Sequence, residues 1–269
     1  MWKPLEPGSS PVDWCESNYN ISPSIAEFTN TLSNGIFLLL PPVLMHLFKD
    51  YGRFVNPGIH VIWVLLMVVG ISSAYFHATL SLAGQLLDEL TILWVYMAGF
   101  GMFLPRRYFP PLARNNRKRF SVMVIIPTVI ATVLSTFYPA INAFALMILG
   151  IPAVVFMVLE LKRTTSARVY RLGVRCGAVW VLAVTCWLND RLFCDTWLNW
   201  NFPYLHALWH ILIFIAGYTA AVLFAYFSVK DERPQTSPML KYWPRDDFEL
   251  GIPYVTIKCY MKVDRNLSI

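Results

Sequence analysis

Two histidines lie four residues apart in a stretch that is otherwise strongly apolar. The segment NFPYLHALWHILIF, residues 201–214, places His206 and His210 among Leu, Trp, Ile and Phe. Residues at positions i and i+4 share one face of a helix, and this spacing lets one helix offer two imidazoles to one metal ion. Alone, such a pair is more often two histidines at a membrane interface, although ionisable groups inside a membrane tend to be functional. The pair is a candidate metal site that still needs a third ligand.

The composition indicates that the histidines lie in a membrane protein. The 269 residues are 57% hydrophobic and only 14% charged, whereas a soluble domain carries about 25% charged residues. The net charge of +6 does not point to nucleic acid, because basic residues in a membrane protein usually mark its cytoplasmic side.

Seven apolar stretches are long enough to cross a bilayer, which requires roughly 20 helical residues. They predict an all-α membrane protein, a seven-transmembrane helix bundle in one domain. We expect an N-terminal segment over residues 1–31, the seven-helix domain over 32–229 and a polar tail over 230–269. The predicted spans are 32–48, 59–80, 86–104, 120–138, 140–161, 169–189 and 204–228.

The basic residues predict the orientation of this bundle. All but two of the 22 lysines and arginines follow the first, third and fifth spans or lie in the tail; the exceptions are Lys3 and Arg191. The positive-inside rule therefore places the C-terminus in the cytoplasm and the N-terminus in the lumen or outside the cell. An odd number of spans also requires opposite ends.

This topology brings a third histidine to the level of the pair. His77 lies near the lumenal end of the second span, and the seventh span starts from the lumenal side with His206 and His210 in its first turns. His46 and His60 fall at the cytoplasmic surface instead. Three histidines with water in the fourth position describe an open catalytic zinc site.

Polar side chains that could assist such a metal lie in the second and third spans. In HATLSLAGQLLDEL, Asp88 and Glu89 follow an expected turn at residues 81–85. Either carboxylate could act as general base and then general acid, or could simply favour a helix start; spacing does not choose between them. Ser73, four residues before His77, could donate to an oxyanion, although serine in a membrane helix commonly bonds its own i−4 carbonyl.

The N-terminal segment DWCESNYNISPSIAE carries two further expectations. Its oxygen donors are of the kind that hard cations prefer, with a solvated acidic loop as the alternative; they are Asp13, Glu16, Asn18 and Glu27. Of the five cysteines, only Cys15 and Cys194 fall in lumenal segments. Because disulfides persist on the oxidising side of a membrane, we predict that these two are paired rather than free thiols.

Six segments carry a resemblance to a known family: VDWCESNYNISPSIAEFTNTLSN, GISSAYFHATLSLAGQLLDEL, WLNDRLFC and NFPYLHALWHILI, with KYWPRDDF and GIPYV in the tail. Together they resemble the alkaline ceramidase family. The segments LPRRYFP, ELKR and FAYF are most similar to the Golgi-type vertebrate branch. The resemblance implies a multi-pass protein of the Golgi membrane, with the endoplasmic reticulum as the alternative.

The resemblance also implies an activity and a set of site residues. It implies an amidase of sphingolipid metabolism that hydrolyses ceramide, a membrane lipid, to a sphingoid base and a free fatty acid; no nucleic acid and no obligate protein partner are expected. The zinc ligands match His77, His206 and His210, and the catalytic pair matches Ser73 and Asp88, which favours Asp88 over Glu89. The calcium ligands match Asp13, Trp14 through its backbone carbonyl, Glu16, Asn18 and Glu27.

Two other classes of protein are alternatives. An adiponectin-receptor-like seven-helix receptor with a zinc site is the main alternative, but that family is understood to place its N-terminus in the cytoplasm, opposite to the orientation that the charges predict. A metal transporter needs polar groups through the depth of the membrane, whereas these histidines and acids gather at one level.

Overall fold

The computed structural model of the protein describes residues 4–138, 140–233 and 235–258. Within that part of the chain, seven helical segments are long and apolar enough to cross a membrane. The chain is thus a mostly helical, multi-pass membrane protein. The seven segments are Phe28–Leu47, Gly58–Thr79, Leu82–Phe103, Arg117–Ser135, Ala140–Arg163, Ala167–Leu192 and Leu205–Glu232.

The helices and strands are numbered in chain order. The helices are α1 (Phe28–Ser33), α2 (Ile36–Leu47), α3 (Lys49–Phe54), α4 (Gly58–Thr79), α5 (Leu82–Phe103), α6 (Arg117–Ser135), α7 (Ala140–Arg163), α8 (Ala167–Leu192), α9 (Cys194–Asn199) and α10 (Leu205–Glu232). The strands are β1 (Ser237–Trp243) and β2 (Ile252–Lys258). Two short 3-10 turns, Arg106–Tyr108 and Pro111–Ala113, lie between α5 and α6.

The first span is two helices separated by a turn at Asn34 and Gly35. Its helical structure begins four residues earlier than the hydropathy pattern predicts, because α1 has the mixed sequence FTNTLS. Two asparagines near this turn face inward: Asn30 in α1 and Asn34 after it are both buried. A polar helix thus enters the protein interior at the end of the bundle where α4 ends.

The turn between α4 and α5 is tighter than the sequence predicts. Leu80 adopts a left-handed conformation with φ 48°, and the Ser81 hydroxyl caps α5 by accepting the Gly84 N–H at 3.1 Å, a favourable N-cap arrangement. The prediction of a turn over residues 81–85 is therefore wrong. Asp88 lies in the second turn of α5, one turn further from the helix end than expected.

The core of the bundle is organised around α10, which carries buried residues from Leu205 to Val229. Large side chains from α2, α3 and α4 join the same apolar cluster, among them Trp63 and Tyr51. Here α10 packs against α8, while α4 packs against α5. Among the seven described spans, α4 and α10 have the largest buried share, and the three histidines lie on these two helices.

The predicted polar tail contains a β-hairpin that the all-α prediction misses. Strands β1 and β2 pair antiparallel from Ser237 opposite Lys258 to Trp243 opposite Ile252. Leu240 and Tyr242 alternate with more exposed residues of β1 and join the main core. This period of two is the strand signature. Residues 259–269 of the predicted tail lie outside the described residues.

Candidate active site

Three histidines converge in the interior of the protein. His77 lies in the last turn of α4, and His206 and His210 lie in the first two turns of α10. Their side chains are buried, with at most 2% of the surface exposed. One ring nitrogen from each lies within 4.8 Å of the other two, and among the described residues this is the His, Cys, Asp and Glu group that could hold a metal ion.

Each histidine has a buried ring nitrogen that lacks a hydrogen-bond partner. The atoms are Nε2 of His77, Nε2 of His210 and Nδ1 of His206. Leaving a buried polar atom unpaired costs about 1–3 kcal/mol, so three such atoms in one cluster indicate that the cluster is built for a ligand. Imidazole nitrogens suit zinc and several other transition metals, and the three histidines therefore fit a zinc ion.

The N-terminal segment and the end of α1 supply a contact to each of these histidines. The Nδ1 atom of His77 contacts the Glu27 carboxylate, and Nδ1 of His210 lies 2.7 Å from the Ser33 hydroxyl oxygen. The Trp14 ring stacks on His206 with centroids 3.7 Å apart and planes at 22°. Partners on the second ring nitrogen are typical of metal-ligating histidines, because they fix the tautomer and the ring orientation.

The N-terminal segment is itself tied to the end of α8 and to α9. A disulfide joins Cys15 to Cys194, with Cα atoms 5.4 Å apart. The Asp190 carboxylate accepts the backbone N–H groups of Cys15 and His206, each at 3.1 Å. Arg191 donates to the backbone carbonyl of Asp13 at 3.1 Å. Sequence reasoning missed Asp190, although a carboxylate inside an apolar helix is a functional candidate by default.

The structure gathers the predicted calcium donors only in part. The Asn18 amide donates to both carboxylate oxygens of Asp13, at 3.1 and 3.2 Å. Burial raises the pKa of Glu27 to about 8, hydrogen bonds from Asn30 and the Trp14 N–H lower it, and the nearby Asp13 carboxylate raises it further.

Glu16 has a different contact set. Its two carboxylate oxygens accept the backbone N–H groups of Thr29 at 2.6 Å and Asn30 at 2.8 Å. The side chain thereby satisfies amides in the first turn of α1, which have no partner within the helix. Calcium binding by the whole set of five residues stays a prediction.

The two acidic residues of α5 have different surroundings. The Ser73 side chain, buried on α4 one turn before His77, lies within hydrogen-bonding reach of Asp88. Glu89 instead accepts hydrogen bonds from the side-chain amides of Gln85 at 2.9 Å and Asn142 at 3.4 Å. The structure brings Ser73 and Asp88 together and directs Glu89 toward α7.

Comparison with known proteins shows which family has these features. Residues 6–256 match the family model described as Ceramidase. The chain belongs to the ceramidase family. A Drosophila melanogaster protein named alkaline ceramidase is 60% identical over 98% of this chain and 94% of the relative. Human alkaline ceramidase 1 is 40% identical over 93% of this chain and 95% of the relative. An alkaline ceramidase of Caenorhabditis elegans is 34% identical over 96% of each chain. The chain is therefore an enzyme of the alkaline ceramidase type.

The ceramidase has two further histidines, and neither joins the buried cluster. His46 lies in the last turn of α2, and His60 lies in the first turn of α4, at the opposite end of that helix from His77. His46 is exposed and His60 is partly exposed. These residues offer matched controls for substitutions in the histidine cluster.

Proposed function

We propose that this ceramidase is a zinc-dependent intramembrane amidase that hydrolyses ceramide to sphingosine and a free fatty acid. The observation that carries the proposal is the convergence of three buried histidines, each with an unpaired ring nitrogen. The names of the relatives supply the substrate class. An amide bond is hard to cleave unless an electrophile polarises its carbonyl group. A bound metal ion can act as this electrophile.

His77, His206 and His210 would hold the zinc ion, with Glu27 and Ser33 fixing two of the rings. Zinc bound there would supply Lewis acidity, which polarises a carbonyl oxygen and lowers the pKa of water. Three histidine ligands would match the ligand number of catalytic zinc sites, which keep one position for water or substrate.

Asp88 would move the proton that the hydrolysis requires. Its carboxylate accepts a proton from the attacking water, and the carboxylic acid then donates this proton to the departing amine. Both transfers must occur, because amide cleavage consumes one water and releases an amine that cannot leave as an anion. A single carboxylate that serves first as base and then as acid completes this cycle unchanged.

Ser73 would stabilise the oxyanion of the tetrahedral intermediate. Its single hydroxyl proton can be donated to Asp88 while that carboxylate is ionised. When Asp88 has accepted the water proton, it can donate to Ser73, and the Ser73 proton becomes available to the substrate oxygen. The hydrogen bond to the oxyanion would therefore form at the step in which the negative charge develops.

The orientation and compartment belong to the same proposal. An N-terminus in the lumen places the histidine cluster near the lumenal face, where the polar head of ceramide enters while its two chains remain among the apolar helices. The disulfide between Cys15 and Cys194 agrees with an oxidising lumen, and the resemblance favours the Golgi membrane over the endoplasmic reticulum. Calcium would bind at the N-terminal segment, where a cation would relieve repulsion between Asp13 and Glu27.

The direct test is the assay of sphingosine release from ceramide by the purified protein. We expect release by the wild type and by His60→Ala, whose side chain lies far along α4 from His77. A protein that contains zinc but releases no sphingosine would contradict the proposal and favour the receptor-like alternative.

A further inference from the structure

The helix break after α1 places one hydroxyl group against a histidine of the cluster. Ser33 is the last residue of α1, and the turn at Asn34 and Gly35 follows it. Its hydroxyl oxygen lies 2.7 Å from Nδ1 of His210, on a helix that is distant in sequence. The other ring nitrogen of His210, Nε2, is buried and unpaired.

The break also leaves the backbone carbonyl of Asn30 without its usual helical partner, and the Ser33 hydroxyl donates to it. In a continuous α-helix the Asn30 carbonyl would accept the N–H of Asn34. Here the Asn34 N–H donates to the Thr31 carbonyl at 3.4 Å. The Asn30 carbonyl instead accepts the Ser33 hydroxyl at 2.8 Å and the Asn34 side-chain amide at 2.9 Å.

The direction of these hydrogen bonds follows from a count of protons. A serine hydroxyl has one proton, and a carbonyl oxygen can only accept. The Ser33 proton is therefore donated to the Asn30 carbonyl, and only lone pairs of the Ser33 oxygen face His210. The Nδ1 atom of His210 must carry the hydrogen, since two facing lone pairs would repel.

We infer that Ser33 is a positioning residue that holds His210 in its Nδ1–H tautomer, so that the Nε2 lone pair is directed at the metal. This inference rests on the metal site of the proposed function and assigns a role to a residue outside the histidine cluster. In neutral histidine one ring nitrogen is a donor and the other an acceptor. Fixing the hydrogen on Nδ1 therefore fixes the lone pair on Nε2, the atom that lies unpaired inside the cluster.

The test compares zinc affinity in the full-length protein purified in detergent, by competition with a chelator of known affinity. Ser33→Thr retains the hydroxyl, whereas Ser33→Val has nearly the same shape without it. Loss of an outer partner of a metal ligand typically lowers affinity by about 10–100-fold. We expect this loss for Ser33→Val and affinity close to that of the wild type for Ser33→Thr.

A matched control comes from the same helix. The Thr31 hydroxyl donates to the backbone carbonyl of Glu27 at 2.7 Å, so Thr31→Val removes a hydroxyl from α1 without touching His210. Zinc affinity should stay near the wild-type value. The visible spectrum of the cobalt-loaded proteins adds a direct readout of the ligands, and it should change for Ser33→Val alone.

The outcomes separate this inference from the proposed function. A wild type that binds zinc tightly, with Ser33→Val as tight as Ser33→Thr, overturns the role of Ser33 and leaves the metal site standing. A wild type that binds no zinc overturns the metal site and the inference with it. Equal loss in Ser33→Thr and Ser33→Val would show that packing, and not the hydroxyl, is what matters, which also overturns the inference.

Discussion

A hydrogen bond from the backbone of His206 to the side chain of Asp190 joins α10 to α8. The His206 N–H donates to a carboxylate oxygen of Asp190 at 3.1 Å, and the second oxygen accepts the Cys15 N–H. The first turn of α10, which carries one of the site histidines, is thereby fixed to the end of α8. The same carboxylate holds the N-terminal segment that stacks Trp14 on His206.

Replacing Asp190 should weaken the fold and the metal site together. Asp190→Ala leaves two buried N–H groups without an acceptor, which costs about 1–3 kcal/mol for each group. We expect a lower thermal unfolding temperature and lower zinc affinity, measured on one preparation. Asp195→Ala, an exposed acid in α9, is the control and should behave as the wild type. Wild-type behaviour of Asp190→Ala would show that the carboxylate does not hold the site.

The Cys15–Cys194 bridge should be detectable in the isolated protein. Peptide mapping without reduction should find these two cysteines linked and should find Cys186, which is free, alkylated after denaturation. Removing a native disulfide typically costs about 2–5 kcal/mol, so Cys15→Ser should unfold at a lower temperature. Recovery of Cys15 and Cys194 as separately alkylated peptides would refute the bridge.

The histidine cluster could be predicted only in part from the sequence. The spacing of His206 and His210 and the level of His77 follow from helix geometry and span lengths, so the convergence of the three residues could be predicted. The contacts of Glu27 with His77 and of Ser33 with His210 could not, because they depend on how a short polar helix enters the bundle. No local pattern encodes that docking.

The errors in the predicted fold have equally local causes. Hydropathy identifies the long apolar spans but not α1, because this short helix contains polar residues, of which Asn30 is buried. Hydropathy also predicts a turn after α4 that lasts to residue 85. In the structure Ser81 caps α5, and the helix begins at Leu82, before the apolar run. Hydropathy does not reveal the hairpin, because β1 buries only Leu240 and Tyr242 among its residues.

Substitution of His210 should remove the metal and the activity together. His210→Ala deletes an imidazole from the cluster, and we expect loss of zinc by elemental analysis and loss of sphingosine release. His46→Ala and His60→Ala, outside the cluster, should retain both. If His60→Ala were as inactive as His210→Ala, the assignment of the active site to one end of the bundle would fail.

Substitution of Asp88 should separate metal binding from proton transfer. Asp88→Asn retains shape and polarity but cannot accept the proton, so ceramide hydrolysis should fall by roughly 10²–10⁴-fold, as is typical for loss of a general base. Zinc content should stay that of the wild type, because Asp88 is outside the histidine cluster. Glu89→Gln, whose carboxylate faces Gln85 and Asn142, should be milder. Zinc loss in Asp88→Asn would make Asp88 part of the metal site, and full activity would assign the proton transfer to another group.

The dependence of ceramide hydrolysis on zinc tests the central claim most directly. The measurement is sphingosine release by the chelator-treated wild type as zinc is added back in known amounts. One site with three histidine ligands predicts no turnover without metal and recovery that saturates near about one zinc per chain. Full sphingosine release by protein shown to be free of metal would contradict the account.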